Sequence, residues 1–242
     1  MLGTGSRVVL GMAYAGPSFE KAFDDLIAAE CSRVVVVPMF PQYSSATTAS
    51  VYDAVFAAAT DRRRSARMFV PAVSCIDAYF DHPGYIGALA HRVREASAKA
   101  NPDHIVLSFH GLPQRYVANG DPYLNHCRGT VAALADQMKW STQFYTVSFQ
   151  SRFGPEKWIE PSTAETLKGL HARGLRRPLV VAPGFTTDCL ETLDELGNEG
   201  RHEFASGGGD PACYTLCPCL NDDDRFLQTL VQLVTAEPAT KP

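Results

Sequence analysis

Runs rich in β-branched residues alternate with stretches of helical period along most of this chain, and few folds accept that order. Apolar runs at residues 7–12, 33–39, 68–73, 104–109, 143–149 and 178–182 predict strands. Between them Phe19, Phe23, Leu26 and Ile27, and later Leu89, Val93 and Ala96, recur at helical spacing. Parallel strands joined by helical crossovers satisfy this pattern. The expected class is α/β, with helices on both faces of the sheets.

Turn chemistry punctuates the pattern. Pro41-Gln42-Tyr43-Ser44-Ser45 leaves a strand and runs into Thr47-Thr48, where a hydroxyl can cap the next helix. Gly120-Asp121-Pro122-Tyr123 opens another helix, and Pro183-Gly184-Phe185-Thr186-Thr187-Asp188 a third. Gly207-Gly208-Gly209 reads as a connector and residues 236–242 as a frayed tail. There is no internal repeat, and Gly3-Thr4-Gly5 precedes its strand, the wrong order for a dinucleotide fingerprint.

Lys+Arg 22 against Asp+Glu 26 leaves a net charge of −4, and Arg62-Arg63-Arg64 is the only basic run, so nucleic acid is not an expected partner. No apolar stretch reaches the ~20 residues of a membrane span, and the N-terminus lacks the regions of a signal peptide. The expected location is the cytoplasm, with room for peripheral contact at the inner membrane. Of seven cysteines, Cys31, Cys75, Cys127 and Cys189 are isolated, whereas Cys213, Cys217 and Cys219 crowd together as a candidate metal or cluster site.

His110 follows the apolar run His104-Ile105-Val106-Leu107, where a buried strand gives way to a loop. An imidazole there can exchange protons near neutral pH, at the strand end where open α/β sheets bind ligands. Asp188, Glu191 and Glu195 stand at i, i+3 and i+7, one face of an α-helix, extended by Asn198 and His202. That acidic stripe also suits a solvated helix face. If both segments open on one cleft, a neutral histidine and carboxylates form a weak site for a divalent ion that must leave again, and desolvation is expected to raise the carboxyl pKa values. Tyr14, Tyr43, Tyr116, Tyr123, Phe149, Trp158 and Phe185 flank these loops, and a flat apolar ligand would need some of them.

Together these segments resemble the ferrochelatases, which insert ferrous iron into a porphyrin. Ser108 to Pro113 with Gly120-Asp121-Pro122-Tyr123 is similar to the signature around the family's active-site histidine. Pro41-Gln42-Tyr43-Ser44 with Thr47-Thr48, Phe149-Gln150-Ser151-Arg152-Phe153-Gly154 with Trp158, and Pro183-Gly184-Phe185 leading through Asp188 to Leu196 resemble further blocks in the same order. The likeness spans residues 8–233 and is nearest to the proteobacterial type.

The resemblance implies two Rossmann-like lobes. The first is expected to be incomplete, residues 1–44 completed by a C-terminal helix at 221–234, and the second to span 45–220. It implies a lyase for protoporphyrin IX and Fe²⁺ making protohaem, with His110 and Glu191 as the catalytic and metal-binding pair. Asp188 and Glu195 become supporting acids, and Tyr14, Tyr43, Trp158 and Phe185 line the porphyrin pocket. Ala13 stands where the family usually has Arg. No cofactor is required, Fe²⁺ being a substrate, although Cys213, Cys217 and Cys219 resemble part of the ligand set of a [2Fe-2S] cluster, with no fourth ligand identified. The alternatives are a non-catalytic tetrapyrrole-binding derivative, or a chelatase for another tetrapyrrole or a metal such as cobalt. The oligomeric state is left open.

Overall fold

A computed structural model describes residues 2–64 and 69–236, without the side chains of 62–64, and divides the chain into two compact units. The basic run Arg62-Arg63-Arg64, as side chains, and the tail beyond Ala236 therefore lie outside the described residues, as does Met68 at the head of one expected strand.

The first unit is drawn from Met1–Pro38, Tyr43–Ala78 and Gln228–Pro242. Helix α1 (Phe19–Ala28) starts where Ser18 Oγ accepts a hydrogen bond from Lys21 N. Strand β1 (Arg33–Val36) pairs in parallel with β2 (Ala72–Cys75), and α2 (Thr48–Arg64) provides the crossover. Phe23, Val55 and Ala58 form the core of this βαβ unit. The domain boundary expected at residue 44 thus falls elsewhere: residues 45–78 supply α2 and β2, which β1 needs as partners. The expected strand at 7–12 is not formed. Val8, Leu10 and Met12 are exposed, because among the described residues no neighbouring strand offers a ladder.

The second unit, Met39–Gln42 with Tyr79–Leu227, is built on a parallel four-stranded sheet. In chain order it contains α3 (Pro83–Ala100), β3 (His104–His110), α4 (Gln114–Ala118), α5 (Tyr123–Met138), β4 (Tyr145–Gln150), α6 (Thr163–Leu170), β5 (Pro178–Val181), a π-helix (Glu191–Glu199), α7 (Gly200–Ser206) and β6 (Thr215–Leu216). Helix α8 (Asp224–Thr235) follows, and the division between the units falls inside it. The strands lie in the order β4-β3-β5-β6.

Every residue of β3 except His110, and all of β5, is buried, as expected of central parallel strands covered on both faces. Val106, Val180 and Ala182 pack with Leu167 and Leu170 of α6, Leu196 of the π-helix and Phe204 of α7. Glycine allows α6 and α7 to approach closely. A Cβ on Gly207 would lie 2.1 Å from the carbonyl oxygen of Lys168.

His104 opens β3 fully buried, its Nε2 bonded to Thr146 Oγ1 at 2.8 Å and its Nδ1 without a partner. Burial, helped by the charge of Arg173, pushes its pKa from 6.5 down to about 4. Between those values the unfolded chain holds a proton that the folded chain refuses, so stability is full above pH 6.5 and falls as pH drops toward 4. His104→Gln should flatten that dependence, removing up to about 3 kcal/mol of acid sensitivity. Urea unfolding at pH 7 and pH 4.5 checks it, and equal pH slopes for both proteins would refute the assignment.

Candidate functional site

The chain leaves β3 toward β4 on one side and then crosses to β5 on the other, so the winding reverses between β3 and β5. Ligands of open α/β sheets bind at the carboxyl ends of the strands flanking such a reversal. His110 ends β3, and the segment running from Pro183 to the π-helix leaves β5 at the same edge.

Three contacts fix the His110 corner. Its Nδ1 lies 2.7 Å from Gly111 O. A carbonyl can only accept, so Nδ1 is the donor in this contact, and Nε2 is the nitrogen it leaves unengaged. The His110 carbonyl accepts the Tyr123 hydroxyl at 2.9 Å, and Gly111 N donates to Gln150 O at 2.8 Å. Glycine is required at 111, since a Cβ would come 2.8 Å from Gln150 O and 3.0 Å from Trp158 Cε3. Trp158 is held there by a short antiparallel ribbon: Ile159 N donates to Leu112 O at 2.9 Å and Gln114 N to Lys157 O at 2.8 Å. A shallow cleft opens beside it, lined by Gly111, Phe149, Gln150, Arg152 and Trp158 among others. Phe185 stands on the other strand end, its ring centroid 6.4 Å from that of His110.

The acidic residues do not occupy an α-helix. Residues Glu191–Glu199 form a π-helix, so the 3.6-residue stripe expected from Asp188 through His202 is not what the backbone presents. Asn198 donates to Asp194 at 2.8 Å on the exposed surface, and His202 is exposed. The three acids have different surroundings. Asp188 Oδ1 accepts from Cys219 N at 3.1 Å and Oδ2 from Asn221 Nδ2 at 2.7 Å, while Asp188 N donates to Asn221 Oδ1 at 2.9 Å, so this residue clips the strand exit to the loop before α8. Glu195 accepts from Ser151 N, Ser151 Oγ and Gln150 Nε2 at 2.6, 2.5 and 3.1 Å. Glu191 is half-buried and close enough to feel the charge of His110.

The expected rise in carboxyl pKa does not occur at Glu191 or Asp188. Glu191's own backbone N–H, the Cys189 thiol and the charge of His110 hold its carboxyl below the usual range. At Asp188 burial raises the pKa, but the hydrogen bonds from Asn221 and Cys219 outweigh it and leave it lowered. Donated hydrogen bonds outweigh desolvation at both positions. Glu191 is therefore held in its ionised form, and His110 keeps Nε2 clear of the bond to Gly111.

Tyr14 and Tyr43 belong to the first unit, where Tyr14 is fully exposed. Sequence reading did not single out Gln150 or Ser151 for any role in holding the acids. The signal available was register, since His110 and Gln150 are partners at the ends of adjacent strands.

The three cysteines of the trio lie in different settings, and nothing among the described residues shows an iron–sulfur cluster there. Cys213 ends a short 3₁₀ turn before β6 and is half-buried with its thiol toward Asp210, whereas Cys217 and Cys219 follow β6 and are buried. Burial pushes the Cys217 thiol up to about 12 and Cys219 higher. Among the described residues no group of three or more His, Cys, Asp or Glu is arranged to hold a metal ion. No described helix is long and apolar enough to cross a membrane.

A model of the ferrochelatase family matches residues 2–237. A ferrochelatase of Edwardsiella ictaluri is 44% identical over 239 residues, 98% of this chain and 72% of its own length. One of Pectobacterium atrosepticum is 43% identical over 228 residues, 94% of this chain and 69% of its own. Among solved structures, SirB from Bacillus subtilis with Fe3+ shares the fold, with a TM-score of 0.60 at 16% identity over 92% of this chain and 80% of SirB.

Proposed function

Because this chain belongs to the ferrochelatase family, we propose that it inserts Fe²⁺ into protoporphyrin IX to form protohaem, with His110 and Glu191 as the working pair. The observation that carries this reading is the meeting, at the sheet's reversal point, of an imidazole whose Nδ1 is committed and an ionised carboxylate within its field.

The chemistry needs little else. Two pyrrole N–H protons must leave and a hydrated ion must shed water, with no change in the oxidation state of iron, so the balance requires no redox group. His110 Nε2 is the base that accepts a pyrrole proton. Glu191 offers the incoming ion a negative oxygen. Two protein ligands hold a divalent ion far more weakly than the four of a closed structural site, which suits an ion in transit. Trp158 and Phe185 wall the macrocycle from opposite strand ends, and rim contacts can support the bent ring that exposes its nitrogen lone pairs. Asp188 and Glu195 then serve by holding the turn and the π-helix, through the bonds described above, rather than by relaying protons.

Anaerobic mixing of the purified chain with Fe²⁺ and protoporphyrin IX should convert the free-porphyrin absorption bands to those of haem with multiple turnovers. Quenching of porphyrin fluorescence without metal insertion would instead identify a tetrapyrrole-binding protein. Preference for Co²⁺ over Fe²⁺ would identify a different chelatase.

A further inference from the structure

The residue that joins the two halves of the site is a neutral amide. Gln150 ends β4 in register with His110 and is buried. Its backbone carbonyl accepts from Gly111 N at 2.8 Å, directly behind the imidazole. Its side chain faces the π-helix: Nε2 donates to the carbonyl oxygen of Glu191 at 2.9 Å and to Glu195 Oε2 at 3.1 Å. Oε1 accepts from Ser108 Oγ at 2.9 Å, and Ser108 is bonded in turn to Thr163, which also meets Ser148. One side chain therefore bridges β3, β4 and the first turn of the π-helix.

The chemistry of this position is restrictive. The residue must accept from a hydroxyl on one side and donate twice on the other, which an amide does and a carboxylate cannot. An apolar isostere would leave a backbone carbonyl and a carboxylate oxygen without a donor in a buried place. The adjacent residue reinforces the link. Ser151 adopts φ 61°, an uncommon value for a residue with a side chain, and both its N–H and its hydroxyl reach Glu195. Strain of this kind persists where surrounding contacts over-determine the backbone.

We infer that Gln150 is a positioning residue that sets the separation of His110 and Glu191, with Glu195 as its anchor on the π-helix. This rests on the functional reading above. The amide touches neither substrate; it acts by fixing the main chain of Glu191 relative to the strand that carries the base. A displacement on the order of 1 Å can cost about 10²-fold in a reaction that depends on alignment.

The test is steady-state kinetics of anaerobic Fe²⁺ insertion, with each substrate varied in turn, for the unaltered chain, Gln150→Leu and Ser108→Ala. Gln150→Leu should lower kcat/KM for Fe²⁺ by about 10²-fold while KM for protoporphyrin IX stays within about threefold. Ser108→Ala, which frees the amide to rotate, should lose about tenfold in the same parameter. Activity of Gln150→Leu close to that of the unaltered chain would overturn the inference. So would a KM for protoporphyrin IX raised by as much as kcat/KM for Fe²⁺ falls, the mark of general loosening. If Gln150→Leu gives no cooperative melt by circular dichroism, Ser108→Ala decides between the same outcomes. An unaltered chain that inserts no metal would overturn the functional reading and this inference together.

Discussion

Replacing His110 with alanine should slow Fe²⁺ insertion by about 10²- to 10⁴-fold, the range expected when a positioned general base is removed. Porphyrin binding should survive, because Trp158 is held by the ribbon of residues 112–114 with 157–159 and Phe185 by its bond to Ala182 O and its packing on the core cluster of the sheet. The fold should survive as well. Two of the three bonds that fix this corner run through the His110 carbonyl and the Gly111 backbone N–H, which alanine leaves intact. Fluorescence-quenching titration and insertion kinetics on one preparation separate binding from turnover. A variant within threefold of the unaltered rate would remove His110 from the reaction.

The largest effect on stability is expected far from that corner, at Gly207. A methyl group there would meet the carbonyl oxygen, carbonyl carbon and Cα of Lys168 at 2.1, 2.7 and 2.8 Å. All three are backbone atoms, so nothing flexible can swing away. Gly207→Ala must push α7 from α6, opening the layer in which Phe204 packs with Leu167 and Leu170. Overpacking of a core contact costs about 1–3 kcal/mol, and a clash against main chain belongs at or beyond the top of that range. At roughly 2–4 °C per kcal/mol for a chain of this length, the melting temperature should drop by about 10 °C. Gly169→Ala is the control, since no heavy atom lies within 4 Å of its added methyl and alanine favours the helix. Melts of the two variants that coincide would mean the helices do not cross as closely as described.

Which parts of this arrangement the amino-acid order disclosed follows from how local each signal is. The β3 run is legible because a central parallel strand is buried on both faces and Ile105-Val106-Leu107 are apolar in succession, and it led directly to His110. The segment at 7–12 has the same local character, yet no strand formed, since strand formation depends on a partner that composition does not reveal. Strand β6 was missed for the converse reason. Two residues bonded to β5 carry no periodicity of their own. The acids at 191 and 195 were expected on an α-helix and lie on a π-helix, because α- and π-helices draw on the same residues and differ only in which carbonyl each N–H reaches. The cysteine spacing showed density and could not show that β6 intervenes between Cys213 and the other two. Gln150 escaped notice because a glutamine has no reactivity to attract attention; its importance lies in two bonds donated and one accepted across three elements.

The bond from His110 Nδ1 to the carbonyl of Gly111 has a kinetic corollary. With that nitrogen tethered to an atom that can never give a proton back, the ring has a single working door. If His110 is the base proposed above, a macrocycle surrendering two hydrogens would send them through it in turn, the first departing into water before the second could follow. Each round would then contain a reset of the imidazole, and the speed of that discharge would set an upper bound on the rate of insertion.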